Sequence, residues 1–352
     1  PAPPRERSAI PAGGGSLMSE LRRDPVIGRW VIVDIDHPSR PEDYEYEPNI
    51  LKGGLCPFCY GNESMTPPEI ECIRDSHTAA NTSGWNVRVV ANKFPALQIE
   101  GDLDRRGLGI YDMSNGVGAH EVIIETPYHH KDICDLTLDE ISRFLTMYCH
   151  RMVDLAKDKR FKYMMLFKNY GAAAGASLEH PHTQLVALPM IPKNALEKIK
   201  GSQAYFEYRE RCIFCDMVRQ ELQDNERIVL ENKYFVSFCP FISRFPFEVW
   251  IMPKQHEAYF CHLTPDMIPS LASILKDTIA KLKVVFPNLS YNFILNSSPI
   301  NGDTGTEGYH WHIEFMPKLM RTAGFEWGSG FYLVPTPPEL AAQYLKDAKI
   351  QQ

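Results

Sequence analysis

"HEVIIETPYHHKDICDLT", residues His120 to Thr137, returns 127 positions later as "FEVWIMPKQHEAYFCHLT", Phe247 to Thr264. The two stretches align without a gap. Glu121 meets Glu248, Val122 meets Val249, Ile124 meets Ile251, His129 meets His256, and Leu136-Thr137 meets Leu263-Thr264. Each reads as an apolar strand, a short loop bearing a histidine, and a threonine suited to start a helix. Self-similarity at a fixed offset marks a duplicated unit, so this pair decides how the rest of the chain is parsed.

The flanking sequence keeps the same order in both halves. Thr137 and Thr264 are placed as helix N-caps, with Pro265 at the first helical position of the second copy. Ile141, Phe144, Leu145, Tyr148, Met152 and Leu155 then recur at helical spacing, as do Ile268, Leu271, Leu275, Ile279 and Leu282. A strand follows each helix, "YMMLF" from Tyr163 and "YNFIL" from Tyr291. Next come His180-Pro181-His182-Thr183-Gln184 in one half and His310-Trp311-His312-Ile313-Glu314 in the other. Upstream, each half has a C-x-x-C pair, and "NK-aromatic" recurs at Asn92-Lys93-Phe94 and Asn232-Lys233-Tyr234. The expected class is α+β, with unit boundaries at 18–195 and 205–345. Two sheets, mixed or antiparallel, carry helices on one face, and "MIPKNALEKIKGSQ" links the halves. Ala79 to Gly118 reads as an insertion in the first copy.

Bulk properties narrow the function classes. The chain has 352 residues and a formal charge of −7, without a lysine- or arginine-rich run. A sequence-independent grip on nucleic acid needs clustered cations, so none is expected. No apolar run approaches the roughly 20 residues of a membrane span. Residues 1–17, rich in Pro and Gly, read as a disordered leader, with Met18 as the natural start. The nine cysteines are odd in number and spread through a long chain, which argues for a reducing, cytoplasmic setting over a secreted disulfide framework.

Four of those cysteines form the pairs Cys56/Cys59 and Cys212/Cys215. Each half thus supplies two thiols, one histidine after a strand and one histidine opening an H-x-H segment. Two thiolates with two imidazoles make a closed tetrahedral set for zinc. The expected sets are Cys56, Cys59, His129 and His180, and Cys212, Cys215, His256 and His310: two zinc ions per chain. A closed set leaves no open position for a reacting water.

On a strand, His180, His182 and Gln184 share one face. With His180 held by metal, His182 is fixed nearby as a neutral imidazole able to attack phosphorus. The preceding loop "NYGAAAGAS", Asn169 to Ser177, has small side chains and backbone N–H groups that can approach phosphate. Gln184 can donate hydrogen bonds to a phosphoryl oxygen but cannot supply a proton, which suits a phosphate leaving group. Glu314 takes the glutamine's place in the second half and would repel phosphate, so that H-x-H reads as structural.

"CPFC…WNVRVVANKFPAL…ETPYH…NYGAAAGASLEHPHTQ…HWHIEF…GFEWGSG" resembles the galactose-1-phosphate uridylyltransferase family of the histidine-triad superfamily, over nearly all the chain after Met18. The resemblance implies a duplicated histidine-triad-like fold and a ping-pong reaction through uridylyl-His182. Glucose 1-phosphate would leave UDP-glucose, and galactose 1-phosphate would take the uridylyl group. It implies that Asn92 binds nucleotide, that Asn169, Gly175 and Ser177 form the phosphate loop, and that Gln184 stabilises the intermediate. Glu326, with Phe325 beside it, would bind the hexose hydroxyls, and Arg40 would lie near the nucleotide phosphates. His37 stands where a second arginine is usual. The family also implies a homodimer in which one subunit completes the other's site. The doubled Cys/Cys/His/His pattern is similar too to ADP-glucose phosphorylase, which passes an adenylyl group to phosphate. A non-catalytic zinc-knuckle binding protein is the reading from another class, and the acidic balance weighs against it.

Overall fold

The computed structural model describes residues 19–75, 77–302 and 306–350. The expected leader at 1–17 and Met18 lie outside them. The first half contains β1 (Glu20–Arg23), β2 (Trp30–Val33), β3 (Glu69–Arg74), β4 (Trp85–Ala91), β5 (Arg106–Leu108), β6 (Tyr111–Met113), β7 (Ala119–Ile124), α1 (Leu138–Leu155), β8 (Tyr163–Tyr170) and β9 (His182–Leu188). Then follow α2 (Lys193–Arg209), α3 (Ile213–Asp224), β10 (Ile228–Glu231), β11 (Phe235–Phe238), β12 (Val249–Pro253), α4 (Ile268–Val285), β13 (Tyr291–Asn296), β14 (His312–Pro317), α5 (Gly324–Ser329), β15 (Tyr332–Val334) and α6 (Pro338–Asp347).

The fold is α+β. The two sheets anticipated, one per half, join edge to edge into one ten-stranded sheet of order β10-β11-β12-β14-β13-β8-β9-β7-β4-β3. Every pairing in it is antiparallel. The order reads the same from either end: β12-β14-β13 mirrors β7-β9-β8. The seam is the β13–β8 pair, where Asn292 faces Asn169 and Ile294 faces Phe167. Beside this sheet, β1-β2-β15 forms a small sheet in which β2 and β15 run parallel, and β5-β6 is a separate hairpin within the expected insertion.

Helix α1 starts where expected. The Thr137 hydroxyl accepts from the Glu140 N–H, and Glu140 accepts from the Thr137 N–H at 2.7 Å, closing a capping box. Its apolar stripe, Ile141, Phe144, Leu145, Tyr148, Met152 and Leu155, is buried against the sheet with the facing stripe of α4 and the Ala341, Ala342 and Leu345 side of α6. Helix α4, however, starts at Ile268 and not after Thr264. The Met267 and Ile268 N–H groups both donate to the Thr264 carbonyl in a turn, and the Thr264 hydroxyl is taken by Asp266. Pro269, which cannot donate, then sits in the first turn of the helix proper.

Most of the linking segment is helix α2, which buries only Ala195, Ile199 and Ser202. With so narrow a buried stripe its sequence shows little helical patterning. Helices cover both faces of the sheet, not one as expected, because α2 and α3 pack on the face opposite α1 and α4, over Tyr163, Trp250 and Met252. The two NK-aromatic stretches occupy different connections: Asn232 lies between β10 and β11, whereas Asn92 follows β4.

Candidate active site

Strand β9 carries the first H-x-H segment into the sheet, pairing Ile124 with His182 and Val122 with Gln184. Thr183, Leu185 and Ala187 face the buried helical side. His182 and Gln184 face the other side, where they line a cavity of about 580 Å³ with Phe58, Asn92, Phe94, His120, Gly175 and Ser177. His182 Nδ1 lies 2.8 Å from the His180 carbonyl. A carbonyl only accepts, so Nδ1 carries the hydrogen and Nε2 keeps its lone pair. The Phe58 ring packs edge-on, with centroids 5.3 Å apart. Burial holds the His182 pKa below the ordinary histidine value, which keeps the ring uncharged.

His180 is fully buried. Its Nε2 donates to the Thr126 carbonyl at 2.7 Å, so Nδ1 is free to bind a cation. That Nδ1 lies 3.6 Å from Cys59 Sγ, and His129 Nδ1 lies 3.3 Å from the same sulfur. His129 Nε2 in turn stands 3.6 Å from Glu179. The ligand atoms of Cys56, Cys59, His129 and His180 all fall within 4.8 Å of one another, and so do those of Cys212, Cys215, His256 and His310. The donor chemistry fits a thiophilic divalent cation. Burial, then the neighbouring Cys56, pushes the Cys59 thiol up to about 11. In the second set, hydrogen bonding with Cys215 lowers Cys212 to about 3, while Cys215 is raised. Two thiolates this close repel, so a cation between them would stabilise both.

Behind β9 lies a buried charged network. Lys168 Nζ is 2.5 Å from Glu125 and 3.4 Å from the His182 carbonyl. The Tyr148 hydroxyl is 2.6 Å from Glu125 and 2.7 Å from Thr183. These contacts tie the backbone of the His182 segment to α1 and β8.

The repeat-related segment is built alike but closed. His312 Nδ1 is 3.0 Å from the His310 carbonyl, and its ring stacks on Trp250 with centroids 5.0 Å apart. Its Nε2 faces Glu314 at 3.3 Å and Lys198 of α2 at 3.4 Å. Glu314 is also paired with Lys198 and with Arg244. Burial would raise the Glu314 carboxyl, yet those two cations hold it well below the usual range. The imidazole is therefore fully buried and sealed by an ion-pair cluster.

The remaining expected residues divide. Asn92, Gly175 and Ser177 reach the His182 cavity. Asn169 stands behind the loop and accepts from Asn292 Nδ2 at 2.8 Å. Gly175 needs its left-handed backbone, φ 84°, to turn the loop. The N–H groups of Ala174, Gly175 and Ala176 donate to carbonyls of that same turn, which removes them from the expected phosphate cradle. Arg40, Phe325 and Glu326 lie away from the cavity. Arg40 begins a short turn at Pro41–Asp43, and Glu326 caps its own helix by accepting from the Ala323 N–H at 2.9 Å. The sequence reading missed His120, Phe58 and Phe94. The signal for His120 was its place two residues before Val122 on the same strand face.

Comparison with known proteins agrees with this architecture. Residues 16–192 match the family described as galactose-1-phosphate uridyl transferase, N-terminal domain, and residues 198–337 match its C-terminal domain. An ADP-glucose phosphorylase of Arabidopsis thaliana is 33% identical over 338 residues, 94% of this chain and 93% of that one. A galactose-1-phosphate uridylyltransferase of Thermotoga maritima is 28% identical, covering 95% of this chain and all of its own. A solved Arabidopsis ADP-glucose phosphorylase with bound ADP-glucose superposes with a TM-score of 0.79 at 31% identity, covering 95% of this chain and 99% of that one. With both halves matched in order along one continuous sheet, the chain belongs to the galactose-1-phosphate uridyl transferase family.

Proposed function

We propose that this enzyme moves a nucleotidyl group from a nucleoside-diphosphate hexose to a phosphate acceptor, through a covalent bond to Nε2 of His182. The observation that carries the reading is the 2.8 Å bond from His182 Nδ1 to the His180 carbonyl, which leaves Nε2 unprotonated at the cavity. The lone pair attacks the α-phosphorus, the bond from phosphorus to the bridging oxygen breaks, and hexose 1-phosphate leaves without needing a proton. An acceptor phosphate oxygen then attacks the same phosphorus and frees His182. Gln184 donates amide hydrogens to the phosphoryl oxygens throughout.

Two donors fit this chemistry. UDP-glucose, with galactose 1-phosphate as acceptor, is the reading of the His-Pro-His-x-Gln signature. ADP-glucose with phosphate as acceptor is favoured by the 33% identity to the phosphorylase, against 28% to the Thermotoga uridylyltransferase. In either case Cys56, Cys59, His129 and His180 would hold one zinc ion, and Cys212, Cys215, His256 and His310 a second. Such closed sites would cross-link the fold and leave no position for water. The units 18–195 and 205–345 then each carry one metal. Arg40, Phe325 and Glu326, standing outside their own chain's cavity, support a homodimer in which they complete the partner's site. Nine cysteines free of disulfides support a reducing, cytoplasmic compartment. Among the described residues no helix is long and apolar enough to cross a membrane.

The test is incubation with UDP-glucose or ADP-glucose labelled in the nucleotide, followed by a search for acid-labile label on the protein. Label is expected on the wild type and absent from His182→Ala. The nucleotide that labels identifies the donor. Label persisting in the variant would remove His182 as nucleophile, and no label from either donor would restore the binding-protein reading.

A further inference from the structure

We infer that His120 is a positioning residue, which fixes the amide of Gln184 with its hydrogens toward the reacting phosphate. This rests on the proposed reaction at His182. The Ala96 backbone N–H can only donate, and it lies 3.2 Å from His120 Nδ1. That nitrogen must therefore accept, so the hydrogen of the neutral ring sits on Nε2. His120 Nε2 is 2.8 Å from Gln184 Oε1. A donor at that place requires the carbonyl end of the amide, which turns the Gln184 NH2 away from His120. His120, Gln184 and His182 all line the one cavity.

Without this bond the Gln184 amide can flip, since its two ends are nearly the same size. A flipped amide presents its oxygen to the phosphoryl oxygens, replacing attraction with repulsion. Asn92 is oriented independently of that ring. Asn92 Oδ1 accepts from the Phe94 N–H at 2.9 Å, so its Nδ2, 3.1 Å from His120 Nε2, faces another donor. Its hydrogens are left for a ligand. Two backbone N–H groups of one loop, at Phe94 and Ala96, thus set the polarity of both amides, one of them through the imidazole. The sequence shows only an isolated histidine at the start of an apolar strand, and its partner Gln184 is 64 residues away.

The experiment is a double-mutant cycle on the single-turnover rate of protein nucleotidylation, with whichever of UDP-glucose or ADP-glucose labels the wild type. His120→Ala is expected to slow that step about tenfold, with the dissociation constant of the sugar nucleotide changed less than about twofold. His120→Phe keeps ring bulk without nitrogens and must slow the step as much, which separates lost hydrogen bonding from lost packing. In a Gln184→Ala background, His120→Ala should have almost no further effect. Rates within twofold of wild type for both His120 variants, or a double variant slowed by the product of the single effects, would overturn the inference. A wild type that takes no label from either nucleotide would instead bring down the reaction at His182, and this inference with it.

Discussion

Replacing Lys168 by Met leaves the Glu125 carboxylate without its cation in the core beneath the His182 strand. Both side chains have no exposed surface, and Nζ sits 2.5 Å from Oε2. Removing one partner of a buried pair costs about 3–5 kcal/mol. Urea unfolding at pH 7 followed by circular dichroism measures the loss, expected at about 4 kcal/mol. Adding Glu125→Gln should recover most of the loss at pH 7, because Gln can still accept from Tyr148 or Thr183. A deficit under about 1 kcal/mol, or one that Glu125→Gln does not reduce, would refute the buried-charge argument.

Metal analysis should return two zinc ions per chain, falling to one in Cys56→Ser and in Cys212→Ser; only the first substitution should abolish nucleotidylation, because only that set holds the His182 segment. The acid limb of the nucleotidylation rate should be centred below the ordinary histidine value of about 6.5, since burial lowers the His182 pKa and protonation removes the attacking lone pair; a limb centred at or above that value would contradict this. Gly171→Ala should destabilise by about 2 kcal/mol or more in urea unfolding. Its φ is 85°, and a Cβ there would meet the Ser290 hydroxyl oxygen at 2.2 Å.

Much of this molecule was legible because duplication writes each feature twice. The H-x-H segments, the C-x-x-C pairs and the helix after Thr137 could each be checked against a second copy. What stayed hidden has no local signature. Nothing in "YMMLF" or "YNFIL" says that β8 and β13 pair with each other to fuse the halves. Helix α2 escaped because three buried residues in 17 give little periodicity. The late start of α4 turns on the competition between a Thr264 turn and Pro269, which propensity alone does not decide. His120 was missed because its role depends on Ala96 and Gln184, brought together only by the sheet register. Arg40, Phe325 and Glu326 carry the clearest difference between a family pattern and the geometry of one chain.

The most direct measurement is peptide mapping by mass spectrometry of wild-type protein quenched seconds after mixing with the labelling sugar nucleotide. The account predicts a nucleotidyl adduct on the peptide bearing His182 and none on that bearing His312, whose ring is sealed by Lys198 and Glu314. An adduct on the His312 peptide, or on another side chain of the His182 cavity, would contradict it.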